Sequence, residues 1–119
     1  MIQTVEIQPE RWSVWATQLG GDLLGRAVRV ELADEDVGDQ ELGRFLPLNG
    51  IVFEDLGEGH RVLHIWLDGY TGPVDHWIDS PKTICVGESG SLIEWFAIED
   101  RRGGKTIVYV EHLRELPSG

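Results

Sequence analysis

Between Arg61 and Pro81 the chain alternates apolar and polar residues through two stretches, Val62 to Leu67 and Val74 to Asp79, separated by Asp68 to Pro73. Alternation of that length suits a strand with one buried and one solvated face, and two such runs across a turn-rich segment make an antiparallel hairpin. Burial then sets the register. With Leu67 opposite Val74, the residues Leu63, Ile65 and Leu67 share a face with Val74, His76 and Ile78. The opposite face carries Val62, His64 and Trp66 with Asp75, Trp77 and Asp79. A slip of one residue would bury Asp75 with Asp79, so the first register is expected.

The rest of the chain supplies partners for this hairpin. The first expected element is a helix, with Pro9 in its first turn, where the missing N–H is no loss. Trp12, Trp15, Ala16 and Leu19 recur at helical spacing and form one apolar face. Ile7 is placed to staple onto Trp12, and Gly20-Gly21 is expected to end the helix. Val28, Val30 and Leu32 alternate with Arg29 and Glu31 as a half-buried strand, followed by an acidic loop from Ala33 to Gly43. Phe45 to Phe53 is extended but interrupted by Pro47 and Gly50, so it is an edge strand or one bent by a bulge at Gly50. Asp55 to Gly59 is a turn. Thr83 to Val86 forms a short strand after the Ser80-Pro81 break. Leu92 to Glu99 and Lys105 to Val110 make a last hairpin around Arg101-Arg102-Gly103-Gly104. The tail from Glu111 to Gly119 is expected to lie loosely on the surface.

One helix followed by about seven short strands is an α+β pattern, expected as a single globular domain over residues 1–119. Every connection is short enough for antiparallel pairing. Two architectures fit: a helix plugging a small open barrel or roll of about six to seven strands, or a helix lying across a twisted antiparallel sheet.

Twenty-one acids against ten Lys and Arg leave a formal charge of −11. Such a surface repels nucleic acid, whose affinity comes mostly from phosphate neutralisation, and it disfavours anionic membranes. Neither is expected as a partner. The N-terminus lacks a cleavable apolar pattern and no window reaches the length of a membrane span, which points to a cytoplasmic protein. The lone cysteine, Cys85, excludes an internal disulfide and is expected as a buried structural thiol.

The mixed face of the hairpin is the candidate binding site: Trp66, Trp77, His64, Asp75 and Asp79. Neighbouring indoles can stabilise a sheet or be covered by another element or chain, and beside carboxylates they also suit a cationic ligand. His64 next to Asp75 or Asp79 could shuttle protons, but no nucleophile accompanies it, and no catalytic residue is assigned. His76 is expected as a satisfied core histidine. Asp34, Glu35, Asp36, Asp39 and Glu41 offer carboxylates for a hard cation without the spacing of a calcium loop. No zinc spacing connects Cys85 and the histidines. No metal or cofactor is expected.

Two blocks, Leu46-Pro47-Leu48-Asn49-Gly50-Ile51 and Asp75-His76-Trp77-Ile78-Asp79-Ser80-Pro81-Lys82-Thr83-Ile84, resemble those of a small bacterial family, domain of unknown function 5335. The helix with Trp12, the strand around Arg29 and the closing hairpin fall in the same order, so the resemblance covers most of the chain. It implies a single bacterial domain and carries no mechanism. The pattern His76, Ile78, Pro81 within it is that of a strand ending at a proline corner, whereas Trp77 and the acidic loop lie outside the pattern.

Three function classes follow. The first is a non-catalytic interaction module binding a protein partner or a second copy of itself. The second is an acidic inhibitor or immunity-type protein that neutralises a basic target. The third is a small-molecule binder or enzyme using a cleft between helix and sheet.

Overall fold

The computed structural model describes residues 1–34 and 38–111. Strand β1 (Gln3–Ile7) leads through a 3-10 turn (Pro9–Arg11) into the helix α1 (Trp12–Asp22). Seven strands follow: β2 (Ala27–Asp34), β3 (Gly38–Asp55), β4 (Arg61–Gly69), β5 (Gly72–Asp79), β6 (Pro81–Ser89), β7 (Leu92–Asp100) and β8 (Lys105–Val110). They form one eight-stranded sheet in the order β1-β6-β7-β8-β2-β3-β4-β5, and all pairings are antiparallel. The sheet is open, with β1 and β5 at its edges, so it is an α+β fold with one strand more than expected and not a closed barrel.

The extra strand is β1, which pairs along its length with β6, from Gln3 opposite Glu88 to Ile7 opposite Ile84. Thr4 and Glu6 hide its pattern, because an exposed edge strand needs little apolar alternation. The helix also differs from expectation. It runs through Gly20-Gly21 to Asp22, and Gly25, with φ +81, takes the left-handed conformation instead. Trp12 reaches back past the staple geometry: its indole N–H donates to the Ile7 carbonyl at 2.9 Å, tying β1 to the helix.

The acidic segment is a hairpin more than a loop. Asp34 pairs opposite Gly38, and Glu31 opposite Glu41. Glu35 and Asp36 of the candidate cation cluster lie outside the described residues, as does the tail beyond Glu111. The segment around Pro47 is bent and not at an edge. Its strand, β3, spans 18 residues and lends its first half to β2 and its second to β4. Phe45 sits at φ 55 on the bend, and the register shifts between Leu48 and Gly50. The Leu48 amide donates to the Arg26 carbonyl and its carbonyl accepts from Gly25, so the backbone at the bend stays satisfied.

The inner face holds the core. Trp12, Ala16 and Leu19 of α1 lie with Val28, Val30, Leu48, Leu63, Ile65, Phe96 and Val108 in one buried cluster. Trp15, expected among them, is only half-buried and meets Phe96 edge to face, with centroids 5.6 Å apart. Cys85 is likewise half-buried, because it opposes Ala97 on the outer face and not the core side. Among the described residues no helix is long and apolar enough to cross a membrane.

Candidate functional site

The central hairpin has the expected register: Leu67 pairs with Val74, Ile65 with His76 and Leu63 with Ile78. Its turn is tighter than the expected six-residue loop. Gly69 pairs with Gly72, leaving two residues, Tyr70 and Thr71, at the tip. Gly72 permits this with φ +137. Pro73 sits opposite Asp68 on the edge strand β5, where a missing N–H costs least.

That register puts His64, Trp66, Asp75, Trp77 and Asp79 on the outer face, away from the helix. Three rings stack there. The His64 imidazole lies parallel to Trp77 at 3.7 Å and 3°, and against Trp66 at 4.7 Å and 26°. Trp66 is fixed from below, since a Cβ on Gly50 would fall within 3.0 Å of its ring. A carboxylate can only accept, so His64 Nε2 carries a proton and donates it to Asp75 Oδ1 at 2.8 Å. Trp77 ends the stack with one face on His64 and 54% of its surface exposed.

Asp79 leaves the group. It accepts from His60 Nε2 at 2.7 Å, at the other end of β5. That hydrogen bond, more than any other influence, holds the Asp79 carboxyl below its ordinary range. His60 had no sequence signal, because it sits in the 55–60 turn and only the hairpin return brings it to Asp79. The positions that register places around His64 are Val52 on β3, Trp66 on β4, and Trp77 with Asp75 on β5. They offer an acid–base pair with no hydroxyl or thiol beside it.

His76 points inward as expected. Its Nε2 shares a hydrogen bond of 2.9 Å with the Thr106 hydroxyl of β8, the one buried polar side chain among the described residues. Burial pushes the imidazole below its ordinary value of 6.5, with the Asp100 charge acting in the opposite direction. The pair lines a cavity of about 160 Å³ with Leu32, Gln40, Asp100 and Lys105. A third outer-face indole was missed. Trp95 covers Gly87 just as Trp66 covers Gly50, and a cross-strand glycine opposite each tryptophan was the signal that could have found it.

Residues 3–119 match the family described as "Family of unknown function (DUF5335)". An uncharacterised protein of Aquifex aeolicus (strain VF5) is 25% identical over 114 residues, covering 96% of this chain and 97% of that protein. No solved structure matches. The chain belongs to the DUF5335 family.

Proposed function

We propose that this member of the family is a non-catalytic interaction module whose outer hairpin face receives a basic segment of a protein partner. The observation that carries the reading is Trp77: a large ring held parallel on His64, open on its other face, between Asp75 and Asp79 two residues away on either side. A ring pre-ordered on one face loses little entropy when the other is covered. Arginine suits such a place, since its guanidinium stacks on an indole and bonds a flanking carboxylate in the same plane. The chain's charge of −11 steers a basic partner inward. An inhibitor of a basic target would use the same surface.

Self-association is the second reading, favoured by a specific feature. Strand β5 is an open edge of the sheet, and Trp77 lies on it. Two such edges can pair. Charge opposes this, because two copies at −11 repel each other.

Titration with hexa-arginine peptide tests the first reading. The Trp77 indole N–H resonance should move in a saturable, salt-sensitive way, and Trp77→Ser should weaken binding about tenfold. An unmoved Trp77 resonance, or full affinity in Trp77→Ser, rejects it. A dimer in sedimentation equilibrium that Trp77→Ser dissociates would establish the second.

A further inference from the structure

Away from the stacked rings, three basic residues line a cavity of about 280 Å³ where the helix start meets the β5–β6 corner. Arg61, Lys82 and Arg101 line it together with Ser80, Gly59 and Trp12, and the remaining lining, Pro9 and Pro81, is uncharged. No carboxylate lines it, in a chain where acids outnumber Lys and Arg 21 to 10. Among the described residues none of the three cations has a carboxylate within ion-pair distance.

The neighbouring acids lie outside the cavity lining and hold other hydrogen bonds. Asp79 accepts from His60 and from the Ser80 hydroxyl, Asp55 accepts from the Gly57 amide, and Asp100 accepts from the amides of Arg102 and Gly104. The corner that carries the cations is rigid. Ser80 donates its amide to the Arg61 carbonyl at 2.9 Å and accepts from the Arg101 amide at 3.0 Å, so one residue holds both arginines. Ser80 itself sits at φ 54, a conformation that non-glycine residues rarely hold without a reason. The floor is rigid too: Trp12 is 3% exposed and anchored through its indole N–H to Ile7.

We propose that this cavity binds a small phosphate-bearing anion, either free phosphate or a phosphate monoester. Three basic residues without an ion pair among the described residues line one concavity that no carboxylate lines, which favours a dianion there. Two guanidinium forks match phosphate oxygens in pairs, and the ammonium of Lys82 adds a point charge. The cavity's size and the negative field around it favour a small anion over a polyanion. This assignment is independent of the outer hairpin face.

The test is amide NMR of the full chain at fixed ionic strength, titrated with inorganic phosphate, with glycerol 3-phosphate, and with chloride. The amides of Gly59, Ser80, Lys82 and Arg101 should shift saturably with a Kd of about 1 mM or tighter for at least one phosphate probe. The probe that binds more tightly distinguishes free phosphate from a monoester. Arg61→Gln combined with Arg101→Gln should weaken binding about tenfold or more. If that variant fails to fold, Lys82→Gln, at an exposed position, should still weaken it about threefold. Equal shifts with chloride, shifts scattered over the whole surface, or unchanged affinity in Lys82→Gln and in the folded double variant would overturn the proposal.

Discussion

Gly50 and Gly87 do the same work at two distant places. Each lies opposite a tryptophan on the neighbouring strand, and the indole lies flat over the space where a side chain would be. An added Cβ at either would come within 3.0 Å of the ring. Gly50→Ala should therefore cost about 1–3 kcal/mol in a urea melt, through displacement of Trp66 from its stack on His64. Gly21 is the contrast. It is exposed near the end of α1, with nothing within 4 Å of an added Cβ. Gly21→Ala should be neutral or stabilise by up to about 1 kcal/mol, because it removes backbone freedom from the unfolded chain. Equal effects at the two positions would show that the ring does not occupy the space above Gly50.

At the scale of elements, the helix is the part that closes the core. It presents Trp12, Ala16 and Leu19 to the inner sheet face, and Trp12 also meets Phe53 of β3 edge to face at 5.8 Å. Trp12→Ala removes a fully buried ring and the anchor of β1, and should cost about 3–5 kcal/mol. Trp15→Ala should cost less, since Trp15 is half-buried and its indole N–H is enclosed without a hydrogen-bond partner among the described residues. Chemical denaturation of the two variants side by side checks the order. The helix was legible in the 3.6-residue spacing of its apolar residues, and its end was not. Gly20-Gly21 has the composition of a stop, but packing against β3 carries the helix on to Asp22.

Across the whole molecule, the edge strand β5 is held to β8 by the hydrogen bond between His76 and Thr106. The imidazole is kept neutral in the folded state by burial, with its pKa lowered from 6.5. The unfolded chain therefore binds the proton first, and stability rises with pH through that window. The contribution is complete above 6.5 and is lost as pH falls below it. Asp79 has the same sign at lower pH. Its depressed carboxyl contributes above the ordinary carboxylate range, and that contribution is lost on further acidification. Thermal melts should fall between pH 7 and 5, and His76→Gln should flatten that slope. An unchanged slope in the variant would place the titrating group elsewhere.

The hairpin register, the two faces of β4 and β5, and the inward path of His76 were all determined by alternation within about twenty residues. A one-residue slip there would have buried carboxylates, and that local penalty is visible without a fold. The pairing of His60 with Asp79, the meeting of β1 with β6, and the placing of Arg61, Lys82 and Arg101 around one cavity were decided only by tertiary structure. Each joins residues about twenty to eighty positions apart whose own neighbourhoods are ordinary turns or polar strand edges. No local period records such a contact, because what sets it is the bend of β3 and the order in which the strands close around one core.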